Sequence, residues 1–270
     1  MGVIRLSEVN QKVKYTNFAA NFPFIRLVEV LVVGGGGGTQ NAVAGARGEG
    51  GAGGGGVISG NAFLPKRFLV TVGAGGTGGA SSTNGSNSVC NTLTAFGGGR
   101  SITTSSGANG GCGAGASDAS AMNFGGNSTS SQGNAGGSKT TSGNDGGAGA
   151  GGGGGGGAGQ SVITTSATGG LGGTPFMSSI TGSPVNYSKG GNGGNATGGG
   201  TTSVDTILGS GANGPNGSGT GTAGRVGVVI LKYPVRFALS VGAGLTSSTT
   251  TSGDFKVTQF TAGSDFVEFI

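Results

Sequence analysis

A chain of 270 residues of which 70 are glycine, with 9% charged residues and a net charge of +5, lies far from ordinary globular usage. Disordered glycine-rich chains carry high charge and no period; here charge is low and the glycines recur regularly. The basic residues are spread thinly from Arg5 to Lys256, which argues against nucleic acid as a partner, and two cysteines with no histidine exclude a disulfide framework and the usual zinc sites.

In chain order, "MGVIRLSEVNQKVKY" has no apolar stretch long enough for a signal peptide, and Leu6 stands where a myristoylation motif requires Ser or Thr. No later run approaches transmembrane length. Synthesis in the cytoplasm without export or membrane insertion is therefore expected, and Asn-x-Ser/Thr triplets such as those at Asn84 and Asn195 read as products of composition. Residues 1–25 read as an N-terminal anchor or arm. Residues 26–234 read as a glycine-rich body framed by strands in "IRLVEVLVV", "RFLVTV" and "RVGVVILKYP", where short length and β-branching favour strand over helix. Residues 235–270 read as a C-terminal β-strand tail, with "RFALSV" followed by two strands flanking a turn at "TAGSD".

Between the framing strands the glycines step by three. They stand at 73, 76 and 79, at 211, 214 and 217, and at 143, 146, 149, 152 and 155, and "GGNGGN" repeats the step from Gly190 to Asn195. That period matches neither an α-helix nor a strand. It is the period of polyproline II, which glycine adopts as polyglycine II, and neighbouring helices without Cβ atoms can hydrogen-bond laterally. Six prolines and frequent breaks exclude a collagen triple helix. The expected fold is thus mostly irregular with short β-strands and almost no α-helix: a polyglycine II bundle framed by a small β-sheet or sandwich. The breaks "SSTNGSNSVCNTLTAF", "ASDASAMNF" and "TPFMSSITGSPVNY" are expected as polar loops at the two ends of the bundle. Such packing predicts that valine at Gly154 or Gly193 is disruptive, while changes at Ser120 or Thr165 are tolerated.

Motifs for chemistry do not hold up. Gly73, Gly75 and Gly78 complete G-x-G-x-x-G after a strand, but "GASSTNGSN" follows where a dinucleotide site needs a helix. At Lys139 a P-loop ending fails, because Ser138 replaces the required glycine. With no histidine, acid–base work would fall to Asp118, Asp145, Asp205, Asp254, Asp265 or a glutamate. None forms an obvious pair, and lone acids in polar loops are expected to be solvated. No enzymatic activity, cofactor or metal is expected.

The succession "VEVLVVGGGGG", "GGGGVISG", "RFLVTVGAGG", "GSNSVCNTLTAFGGG", "VNYSKGGNGG" and "GRVGVVILKYP" resembles the glycine-rich domain of bacteriophage tail-fibre and other virion proteins. The resemblance spans about residues 26 to 234, and "FKVTQFTAGSDFVEF" is similar to a strand pair that accompanies the domain. It implies a virion structural protein whose partners are other virion proteins and a bacterial surface receptor. Related adhesins contact the host through loops at the end of a polyglycine II bundle, which implies Met122, Phe124, Phe176 and Met177 as receptor-binding candidates here; the alternative is that they plug the bundle end. Tyr187 and Phe96, next to glycine runs, read as packing residues. The short leading segment leaves no room for a fibre shaft, so a small subunit is expected, homo-oligomeric and by analogy trimeric. Three readings stay open: a tail-fibre or tail-tip adhesin, a capsid-decorating or head-fibre protein, and an ice-binding protein.

Overall fold

A computed structural model of the chain describes residues 25–42, 48–103, 105–118, 122–139, 147–162, 168–196 and 205–270. The expected arm (1–24), Ser120, Thr165, Asp145, Gly143 and Gly146 lie outside the described residues. Among the described residues eleven strands make up the regular structure: β1 (Ile25–Val33), β2 (Val57–Pro65), β3 (Arg67–Thr71), β4 (Ser88–Cys90), β5 (Leu93–Ala95), β6 (Phe176–Ser178), β7 (Val185–Tyr187), β8 (Val228–Pro234), β9 (Leu239–Val241), β10 (Leu245–Ser252) and β11 (Phe255–Phe269). Among the described residues there is no helix.

β1 is an interior strand of the sheet, with Val30 opposite Gly60 of β2 on one side and Leu231 of β8 on the other. β8 pairs next with the first part of β11, Val229 opposite Phe260. The last part of β11 pairs with β3, Phe266 opposite Leu69. Because only Lys66 separates β2 from β3, the ring almost closes into an antiparallel barrel, which removes most exposed sheet edge. β10 and β9 flank β11 on its other side, and β4 and β5 extend from β3.

The expected turn at "TAGSD" is instead a bend within one strand. Gly263 has φ +92°, and the register with β10 shifts there, Thr246 facing Ala262 and Ser247 facing Phe260, so Thr261 is the extra residue of a bulge. A left-handed residue at a bulge re-aims a strand without reversing it. The bend lets β11 leave β8 and continue onto β3.

Alternation explains the two cores. Val28, Val30 and Val32 point into the barrel with Val229, Leu231, Tyr233, Phe260, Phe68 and Phe269. Tyr233 meets Phe269 edge-on with ring centroids 5.8 Å apart, and its hydroxyl bonds that of Thr258 at 2.8 Å, so the buried polar group is satisfied. Leu31 and Val33 face the other way with Val228, Ile230 and Val257, covered by Ile180 and Tyr187 of the β6–β7 hairpin. Burial on both faces is why "VEVLVV" reads as an almost unbroken apolar run.

Beyond Val33 the chain enters the glycine layer. The amides of Gly34 and Gly37 donate to the carbonyls of Gly56 and Gly53, those of Gly35 and Gly38 to Ser86 and Thr83, and those of Gly36 and Thr39 to Arg225 and Thr222. Successive donors thus go in turn to three different neighbouring segments, and every third returns to the same one, three residues along. The same stepping appears inside the layer: Gly51 and Gly54 donate to Ala150 and Gly153, and Ala52 and Gly55 to Ala212 and Gly209.

Close approach, more than backbone freedom, is what requires glycine here. A Cβ at Gly51 would lie 2.0 Å from the carbonyl oxygen of Gly191, one at Gly37 2.2 Å from that of Gly99, and one at Gly193 2.0 Å from that of Gly149. None of these three has a positive φ. Small methyls fit only at selected places, where Ala116 and Ala150 pack with Val162.

Candidate functional site

Hydrogen-bond register gives the glycine layer two ends. Segments 34–39 and 48–56 join β1 and β2 at the strand side, where Gly34 bonds Gly56. At the far side, Gly48 donates to Gly147 and Asp118 to Gly48. The residues flanking 43–47, 104, 119–121, 140–146 and 163–167 all stand at that far end. The hairpins β4–β5 and β6–β7, expected as loops, close the strand side.

Two of the sequence-derived candidates meet at the far end. Met122 and Phe124 are 56% and 64% exposed; Phe124 is held by its amide on Ser106 Oγ at 3.1 Å and by its carbonyl, which accepts from Gly107 at 2.9 Å. Between them Asn123 is buried and donates from Nδ2 to the Ser117 carbonyl at 3.0 Å. A buried ion pair lies beneath, Lys139 Nζ on Asp118 Oδ1.

Phe176 and Met177 stand at the other end. Phe176 packs half-buried against the Leu31, Val33 and Val57 cluster, whereas Met177, on the same strand, is 65% exposed. The structure therefore brings Met122 to Phe124 and Phe176 to Met177, and separates the pairs by the length of the glycine layer. Tyr187 is buried, but Phe96 is exposed and is not the packing residue expected.

The expectation of solvated lone acids is corrected as well. Asp118 is buried against Lys139, and Asp205 accepts from Lys189 Nζ at 2.9 Å. Each partner lies on a different segment, so sequence proximity did not reveal it. Burial pushes the Asp205 carboxyl upward, but hydrogen bonds from Lys189 and the Ile207 amide outweigh it and hold its pKa below the ordinary aspartate range. Cys90 and Cys112 are both free and buried. Burial pushes the Cys90 thiol up to about 12 and that of Cys112 upward, so neither offers a thiolate near neutral pH. Among the described residues, no three His, Cys, Asp or Glu side chains stand together as a metal site.

Ladders of asparagine run along the layer's surface. Asparagines three residues apart cap outward-facing amides of the adjoining segment. Asn192 and Asn195 accept on Oδ1 from Gly172 and Gly169, each at 2.8 Å. In turn Asn213 and Asn216 accept from the amides of Asn192 and Asn195, and Asn84 and Asn87 from Arg100 and Gly97. The spacing in "GGNGGN" places each side chain on the same face, one step along.

The family model described as a glycine-rich domain matches residues 14–234. The chain belongs to this glycine-rich domain family. No curated protein and no solved structure matches it. The match takes in the glycine segments and strands β1 to β8 and stops at Pro234. The glycine-rich domain of this chain is therefore completed by a strand beyond the matched region, since β11 lies between β8 and β3.

Proposed function

We propose that the chain is a bacteriophage virion structural protein, a tail-fibre or tail-tip component that presents host-contacting residues at the far end of a polyglycine II bundle. The three-step hydrogen bonding from Gly34 to Thr39 carries the reading. A helix with three residues per turn sends each third amide in the same direction, so one segment bonds three neighbours in rotation. Such a bundle is stiff because its lateral bonds link segments distant in sequence.

Exposed Met122 and Phe124 on that bundle are suited to contact. A rigid base has ordered their backbone beforehand, so less entropy is lost on binding, and several copies in a homotrimer would add avidity. The partners are other virion proteins and a bacterial surface receptor, and the protein's place is the virion.

Electron microscopy of particles with gold-labelled antibody against the chain tests the location; label on the tail is expected, and label on the head would favour capsid decoration. Purified protein is expected to compete with particles for adsorption to host cells. The double variant Met122→Ser, Phe124→Ser should lose that competition while melting like the parent. Undiminished competition would remove these residues from the contact.

A further inference from the structure

We propose that the flank of the glycine layer carries a separate binding site for a neutral oligosaccharide, in a groove of about 450 Å³ where asparagine amides surround the exposed ring of Phe96. The volume falls within the range of small-ligand sites. Its Asn127 edge stands one three-residue step along the segment from Phe124, but neither Met122 nor Phe124 lines it, and the inference does not depend on the far end being a receptor contact.

The amide orientations are fixed by chemistry. A backbone N–H can only donate, so the side-chain atom it meets must be the amide oxygen. Asn87 Oδ1 accepts from Gly97 at 2.9 Å, and Asn109 Oδ1 accepts from Asn127 at 2.7 Å. Their Nδ2 groups are thereby left for the groove. Asn84 is used on both sides, Oδ1 by the Arg100 amide and Nδ2 on the Asn109 carbonyl, and serves as wall. The Asn127 side chain lines the groove and brings a donor and an acceptor. Thr129 donates its hydroxyl to the Gly110 carbonyl at 3.2 Å and so presents oxygen lone pairs.

Donors and acceptors therefore alternate around one space. A sugar hydroxyl both donates and accepts, and a ring of hydroxyls with an apolar C–H face matches interleaved amides beside an aromatic surface. No charged side chain lines the groove, which disfavours phosphate, carboxylate and sulfate groups and selects a neutral ligand. Nucleobases could stack on Phe96, but nothing there would meet their phosphates. The floor is main chain, with a Cβ at Gly97 falling 1.8 Å from the Gly85 carbonyl oxygen, so its shape is set by packing that cannot readily give way.

The full-length protein on an array of neutral and anionic oligosaccharides, with hits titrated by saturation-transfer NMR, tests the assignment. Saturable binding of a neutral oligosaccharide is expected, weakened at least tenfold by Phe96→Ala and by Asn127→Ala, and abolished by Ser128→Trp, which fills the groove. Phe96→Tyr should restore binding, and Met122→Ser should leave it unchanged. Melting temperatures near the parent's identify losses that come from the groove. Binding of anionic glycans alone, no binding of any neutral glycan, or binding indifferent to Phe96→Ala and Asn127→Ala in folded variants would overturn the proposal.

Discussion

In the barrel, Val30, Leu231 and Phe260 are kept from water by one another's side chains. In the glycine layer, Gly51 is kept from water by neighbouring main chain, and the nearest atom to its missing Cβ is the Gly191 carbonyl oxygen at 2.0 Å. The first kind of interior fills space with groups whose size can be exchanged among hydrophobic residues at modest cost. The second fills it with hydrogen-bonded backbone, where position and bonding are the same constraint. A carbonyl cannot withdraw from an added methyl without loosening a bond to another segment. Room for side chains is consequently confined to the layer's surfaces and its ends, which are also where Met122, Phe124 and the asparagine ladders stand.

The largest effect should come from putting a branched side chain between two such backbones. Gly51→Val and Gly193→Val are expected to lose more than about 4 to 5 kcal/mol, or to leave no cooperative transition in chemical denaturation. Ser130→Val, on the exposed surface, should stay within about 0.5 kcal/mol. Similar melting of these variants would break the comparison outright. Next in size is a cavity in the conventional core: Leu31→Ala, at a fully buried position, should cost about 2 to 5 kcal/mol while preserving a folded protein. The contrast to measure is the form of failure. Leu31→Ala should shift the midpoint of a cooperative transition, and Gly51→Val should destroy the transition.

These differences also explain what could be read in advance. The apolar runs of β1, β3 and β8 announced themselves through β-branched composition, and the scarcity of helix followed from glycine. β2 was harder, since "VISGNAFLP" contains Gly60 with φ +147° and has an irregular burial pattern. The three-residue strands of β4–β5 and β6–β7 were hidden in polar segments, because such strands exist only where a neighbour is already in place. β11 was misread at Gly263, since left-handed glycine serves a bulge as well as a turn and only the partners on each side decide. Of the candidate site, the exposure of Met122 and Phe124 agreed with a loop near a small-residue segment, but the separation of Phe176 and Met177 from them depended on segment direction. That direction is set by long-range backbone bonds, which leave no trace in local sequence. Pairing of Asp118 with Lys139 was invisible for the same reason.

A smaller effect sharpens the boundary between layer and surface. Asn192→Ala removes the cap from the Gly172 amide and should cost about 1 kcal/mol. Asn192→Asp, which keeps an acceptor oxygen, should recover much of that at neutral pH. Amide exchange by NMR gives a local readout: Gly172 should exchange faster in Asn192→Ala, while Gly193, whose amide bonds Gly170, should change little. Equal acceleration at both would mean that the layer opens as a unit and that the surface asparagines belong to its interior cooperativity.

The smallest effect concerns the partly exposed ion pair joining two segments at the strand side. Lys189 and Asp205 are 2.9 Å apart with side chains 34% and 18% exposed, which limits the pair to about 1 kcal/mol or less. Burial raises the Asp205 carboxyl, and the Lys189 hydrogen bond with the Ile207 and Thr206 amides lowers it further than burial raises it, leaving the folded pKa below its ordinary value. A depressed carboxylate binds its proton more weakly in the folded chain than in the unfolded one. Its stabilisation is therefore fully present above the unfolded pKa and fades as pH falls through the folded pKa. Asp205→Asn should melt lower than the parent at neutral pH, and the gap should narrow as acid protonates the parent. A gap that stays constant across that range would show that Asp205 acts through the neutral hydrogen bonds of its turn, and would leave main-chain contacts as what holds this edge of the layer.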